Sequence, residues 1–200
     1  NVDFEFPRVM QLLINRFSPR IKLRTLKRDQ FAAEMELLRD IFNDAWSENW
    51  GFIPFTQEEF AELGNSLRLL LPDEYIQIAE INGKAAAFMV GLPNLNEVLS
   101  ELDGSLFPFG WLKLIRKIKH HDIRTARIPL MGVRKEFHTT PTGLALACMV
   151  IDAPRQVGIK HGVREVELSW ILEDNLPMRN ILDNLGSKPY KRYRIYGKTL

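Results

Sequence analysis

The residues best placed to do chemistry are His138-Thr139-Thr140-Pro141-Thr142-Gly143-Leu144. They follow the run ARIPLMGV and precede LALACMVI, so they sit where a strand passes into a helix. Thr140 is a natural helix N-cap and Pro141 a natural first helical residue. The first amides of a helix lack intrahelical partners, and the helix dipole places positive charge there. Phosphate is the matching ligand. Pro141 removes one donor. The amides of His138, Thr139, Thr140, Thr142, Gly143 and Leu144 remain, with three threonine hydroxyls, and Arg134 and Lys135 add charge. The competing reading is an ordinary capped helix that binds nothing, since Thr-Pro helix starts are common.

A second group lies near REVELSWI. Glu173 and Asp174 follow this strand-like run, at the end where sites of α/β folds gather. Glu173 is the candidate general base; alternatively it only favours the dipole of a helix's first turn. Ser169 and Trp170 share that strand end and are candidates to face an acceptor, with core packing as the alternative for the tryptophan. Trp46, Glu48 and Trp50, with Asp44 and Asn49, lie between the first helices. Aromatics mixed with acids suit an amine, or simply pack beside solvated acids. His120 and His121 are adjacent and do not share a helix face, and His138 and His161 have no ligand spacing, so no metal is expected.

These residues need elements to position them. VMQLLINRF, within residues 1–20, reads as a lead-in helix or the tail of a preceding domain. IKLRTL alternates as a half-buried strand does. Apolar residues from Gln30 to about Trp46 recur at helical spacing, and Thr56 with Glu59 forms a capping box for a second helix to about Leu71. EYIQIAEINGKAAAFMVGLP holds two apolar runs joined by Asn82-Gly83, a pair that tolerates positive φ at both turn positions, so it predicts an antiparallel hairpin. A helical insertion over about 94–122 follows. Then come the strand before the threonine loop and a helix that Pro154 should kink or end. REVELSWI is a further strand, NLPMRNILDNLG a helix stopped by Gly186, and KPYKRYRIYGK a last strand. The order predicts an α/β (α+β) fold: a mixed, mostly antiparallel sheet of about six to seven strands with helices on both faces. Pro129 belongs at a bulge, at an unpaired edge or at a strand's beginning.

The bulk numbers set limits. Two hundred residues suffice for one core of ordinary size with an insertion. A net charge of +2 lacks the basic excess of a nucleic-acid protein. The lone Cys148 cannot form an internal disulfide, so a reducing, cytoplasmic setting is expected. No apolar run reaches transmembrane length, and the first residues lack a signal-peptide pattern. FPFGWLKLIRKIKHH could lie on a membrane or bind an acidic partner. A solvated face over its own core is the commoner use of such a helix, so no membrane partner is expected; the helix is placed instead as a lid on the acceptor. A chain that starts at Asn1 reads as part of a longer product.

Over about residues 21 to 199 the order and motifs resemble the GNAT superfamily of acyl-CoA-dependent N-acetyltransferases, with bacterial GNAT-like proteins that share WSENWGF and SWILEDN as the nearest likeness. Val133 matches the family's strand valine and Gly143 its loop glycine. Asn175 and Gly186 match the second motif, while Leu182 stands where the family often has a tyrosine acid. The resemblance implies a cofactor, acetyl-CoA or another acyl-CoA, held by Met131, Val133, His138, Thr139, Thr140, Thr142, Gly143, Leu144 and Asn175. It implies a bulge in the strand of Pro129 and a gap beside it, through which the pantetheine arm pairs with the Met131 and Val133 backbone. Backbone groups near Met131 would stabilise an oxyanion. Trp46, Glu48, Trp50 and Trp170 would wall the acceptor. The expected function is direct acyl transfer to a small-molecule amine or amino-acid-like acceptor by residues 21–200, with Glu173, Ser169 and the Met131 backbone as catalytic groups. A homodimer or contact with a preceding domain is the expected assembly. The alternative is a degenerate GNAT-like domain that binds a ligand or partner.

Overall fold

A computed structural model describes residues 2–68, 72–102, 105–120, 122–168 and 170–198. Ser169, His121 and the expected helix end at Leu71 therefore lie outside the described residues. Among the described residues, five strands form one sheet in sequence order: β1 (Ile21–Thr25), β2 (Ile76–Ile81), β3 (Lys84–Pro93), β4 (Thr125–Val133) and β5 (Glu165–Leu168). The first three pairings are antiparallel and β4–β5 is parallel. The hairpin turn between β2 and β3 is the expected Asn82-Gly83, with φ of 51° and 76°.

β3 is central and buried on both faces, which is why its apolar run is unbroken. Its side chains alternate. Phe88 and Val90 join α2 (Phe31–Trp46) and α3 (Gln57–Leu67) in a cluster with Leu38, Ile41, Phe42 and Phe60. Ala87 and Met89 face the other side, toward α1 (Arg8–Phe17) and α6 (Pro141–Lys160). Helices thus cover both faces. α3 starts with the capping box of Thr56 and Glu59. Arg24 on β1 bridges the buried Glu34 of α2, at 2.7 Å, and Glu80 of β2. The insertion holds α4 (Asn96–Ser100) and α5 (Gly110–Lys119), and α7 (Leu176–Asn184) follows β5.

One expectation needs correction and another is narrowed. KPYKRYRIYGK forms no strand: Tyr190, Tyr193, Ile195 and Tyr196 are exposed, and no neighbouring strand supplies the ladder an alternating sequence needs. Together with the single short β5, this gives five strands rather than six to seven. Of the two outcomes expected of Pro154, a kink or an end, the end does not occur: α6 runs on to Lys160. The proline costs one intrahelical bond. Buried Val150, Ile151, Pro154 and Gly158 hold the helix in place across it.

Candidate functional site

The site begins at a break in the sheet. β3 and β4 pair Val90 with Leu130 and Leu92 with Arg127, so Gly91 faces both Ile128 and Pro129. Pro129 therefore sits in a bulge, where its missing amide leaves no ladder bond unmade. The last described pair of β4 with β5 is Ile128 with Leu168. Among the described residues, β4 from Pro129 to Val133 has β3 on one side and no strand on the other.

The Arg134 amide donates to Ala86 O at 2.8 Å, which fixes the phase of the antiparallel ladder. Alternation then turns the backbone groups of Met131 and Val133 away from β3, toward the open side. Side chains take both carbonyls. Trp46 Nε1–H donates to Met131 O at 2.9 Å, and His138 Nε2 lies 2.7 Å from Val133 O. A carbonyl only accepts, so Nε2 is the donor of this bond. The amides of Met131 and Val133 remain as the donors of this edge.

The loop into α6 is more closed than its sequence suggests. The His138 amide donates to Lys135 O, that of Thr140 to Phe137 O, and that of Leu144 to Thr140 O. Gly143 donates to the N-cap oxygen Thr140 Oγ1 at 3.0 Å. Among the described residues, only the Thr139 and Thr142 amides of the six have no partner. Thr139 adopts φ of 59°. Gly143 matters for space: a Cβ there would fall 2.0 Å from Phe137 O. The nearby cations are also engaged. Arg134 donates to Ala85 O and pairs with Asp40; Lys135 pairs with Glu48 at 2.9 Å and gives its amide to Asp44. Lys135 holds the Glu48 carboxyl below the usual carboxylate range.

The other candidates have contacts of their own. Glu173 is exposed and paired with Arg194, which holds its carboxyl low and makes it a weak base. Asn175 caps α7, accepting from the Met178 amide at 3.2 Å. Leu182 is buried. Trp46 stacks on Phe42, with centroids 5.0 Å apart. Trp50 and Trp170 are 72% and 71% exposed, and Trp170 touches Tyr193 of the strandless segment. Trp46, Glu48 and His138 are thus brought to the loop and the open edge. Sequence reasoning counted His138 for its amide and missed its ring. It also missed an apolar cavity of about 40 Å³ between α2, α3 and the sheet. Phe31, Met35, Leu38, Phe60 and Leu130 line it, and Arg28, Arg68 and Asp73 stand at its edge. The signal was present: α2 and α3 each carry an apolar stripe, and Gly64 lets α3 approach the Met35 side chain.

Acyl-CoA is the ligand the sequence resemblance implies, and the residues fit it in part. An open β4 edge offers two amides, and the loop offers two more beside a close-packed glycine. No family model matches the chain. It is 46% identical over 198 residues to Protein YghO of Escherichia coli (strain K12), covering 99% of this chain and 51% of that protein. It is 40% identical over 197 residues to a bacterial ceramide synthase of Caulobacter vibrioides, again covering 98% and 51%. The chain thus spans about half the length of both relatives. Among solved structures it superposes on the aminoglycoside acetyltransferase AAC(6')-Iy, in complex with a CoA bisubstrate analogue. The TM-score is 0.53 at 16% identity, over 90% of this chain and 99% of that one. The open β4 edge, the parallel β5 and this superposition lead to one conclusion: the chain has the fold of the GNAT acetyltransferases.

Proposed function

We propose that the chain is an acyl-CoA-dependent N-acyltransferase whose acceptor is a primary amine carrying a hydrocarbon chain. The observation that carries this reading is the edge of β4, where among the described residues no strand pairs with Met131 and Val133 on the side away from β3 and both their carbonyls are already bonded. A bound acyl-CoA supplies an activated thioester. The Met131 amide is suited to stabilise charge on an acyl oxygen. The Thr139 and Thr142 amides are suited to a diphosphate. His138, whose Nε2 donates to Val133 O, is offered through Nδ1 as the proton acceptor for the amine in place of the ion-paired Glu173. Short donors such as acetyl-CoA and longer acyl groups both suit this chemistry. The apolar cavity beside Leu130 favours an acceptor with a hydrocarbon portion over a purely polar one. One relative is named a ceramide synthase, and ceramide formation is the acylation of a long-chain amine.

Titration calorimetry with acetyl-CoA and longer acyl-CoAs, followed by thiol-release assays with short polar and long-chain amines, tests the proposal. Absence of heat with every donor removes it. Thr142→Glu sharpens the test. A carboxylate in the first helical turn suits the dipole, so the melting temperature should hold or rise. The same charge opposes a diphosphate, and donor affinity should fall roughly tenfold. A second reading, a ligand-binding domain without turnover, is favoured by four bonded loop amides and the buried Leu182. Donor binding with no thiol release for any amine would select it.

A further inference from the structure

The insertion presents a surface that the site does not use. On α5 only Ile118 and, partly, Leu114 face inward, packed with Val98 and Ile123. The helix thus covers a small core of its own, as expected, but spends only part of its apolar residues there. Trp111, Leu112 and Ile115 are each at least 40% exposed, and the preceding turn projects Phe107 and Phe109 at 81% and 72%. Trp111 Nε1–H donates to Pro108 O at 3.0 Å, tying that turn to the helix. Arg116 and Lys119 lie on the same solvent side and make no ion pair among the described residues. Lys113 and Lys117, on the other flank, are both paired with Glu101. Helix geometry puts Trp111, Ile115 and Lys119 in one row, with Leu112 and Arg116 beside them.

We propose that this face, the Phe107–Phe109 turn with the outer side of α5, docks on the surface of an anionic lipid bilayer. Two features point to that occupant together. The unpaired cations match anionic headgroups. The protruding phenylalanines and Ile115 match the acyl boundary just below, with Trp111 at the depth where indole rings settle. A second copy of the chain fits less well, because a two-fold contact would bring the unpaired Arg116 and Lys119 of both copies into one interface with no acidic residue of the same face to match them. A soluble acidic partner answers the cations but leaves Phe107 and Phe109 unexplained. No described helix is long and apolar enough to cross a membrane, so the contact is peripheral. The inference does not rest on the proposed acyl transfer: a chain that binds acyl-CoA but no vesicles overturns this proposal alone.

The test is co-sedimentation of the chain with phosphatidylcholine vesicles and with an equal mixture of phosphatidylcholine and phosphatidylglycerol. The chain should pellet with the mixture, and less so as salt is raised. Arg116→Gln with Lys119→Gln should weaken partitioning about 25-fold, at about fivefold per cation. Phe107→Ser with Phe109→Ser should weaken it without changing the salt dependence. All four positions are exposed, so the variants should melt as the parent does. No pelleting with the mixture overturns the proposal, and so does pelleting that neither double variant reduces. Self-association abolished by both double variants, without vesicle binding, reassigns the face to a copy of the chain. Binding to polyglutamate but not to vesicles reassigns it to an acidic partner.

Discussion

Cys148 sits in α6 with none of its surface exposed, and burial pushes its thiol up to about 12. A thiolate is the reactive form, so thiol reagents at pH 8 should label the chain only as it unfolds. The same shift carries a pH dependence of known sign. The folded state keeps the proton after the unfolded thiol, with an ordinary value of 9.0, has lost it. Stability is therefore intact below about pH 9 and declines as pH climbs toward 12. Tyr75, raised from 10.0 to about 12 by burial, adds to the decline over the upper part of that window. Urea midpoints measured from pH 7 to 11 should stay flat and then drop; a flat profile throughout contradicts both shifts. His138 teaches a different lesson at this scale. Its value as an amide donor followed from its place before Thr140. What its ring does depends on the turn at Lys135–Phe137, which folds Nε2 back onto Val133 O. No local sequence pattern encodes that return.

Elements with strong local chemistry were legible. The Asn82-Gly83 turn, the Thr56–Glu59 capping box and the Gly186 stop at φ of 74° all stand where propensity places them. The bulge at Pro129 was legible as one of a few options, because a proline inside a paired strand has few places to go. The absent last strand was not. Alternation shows that residues 188–198 could pair, yet pairing needs a neighbour, and β5 is only four residues long. The cradle was half legible for the same reason: amides can be counted from sequence, but whether Phe137 O and Thr140 Oγ1 consume them is set by the turn. Gly143 tests that turn. Its Cα lies so close to Phe137 that a methyl group would meet the carbonyl oxygen at 2.0 Å and its carbon at 2.9 Å. Both are backbone atoms and cannot swing aside. Gly143→Ala should therefore destabilise the chain by about 1–3 kcal/mol and displace the loop. Chemical denaturation measures the first, and weaker acyl-donor binding the second. An alanine variant as stable as the parent would mean that the close approach is not what fixes a glycine here.

At the scale of the molecule, residues 2–20 pack against the core. α1 buries Met10 against α6, and Phe4, Phe6, Leu13, Ile14 and Phe17 pack on the same cluster. The Val2 amide donates to Arg164 O at 3.0 Å. Arg155 on α6 donates to Val2 O and lies over the Phe4 ring at 4.4 Å. These contacts explain why α6 can be apolar almost all round: its inner side meets the sheet and its outer side meets α1. Removing residues 1–20 would strip one side of that helix. Each buried side chain of this size is worth about 1.5–3 kcal/mol, so the loss approaches a typical domain's whole margin of about 5–15 kcal/mol. The truncated chain should lose its cooperative thermal transition, bind a hydrophobic dye and aggregate, while the sheet's own ladders stay unaltered in sequence. The deletion also separates two views of the N-terminal helix. A lead-in from another domain would leave residues 21–200 melting sharply near the parent's temperature. A helix that completes the α6 layer would not, and the packing of Met10, Ile14 and Phe17 on α6 supports that outcome.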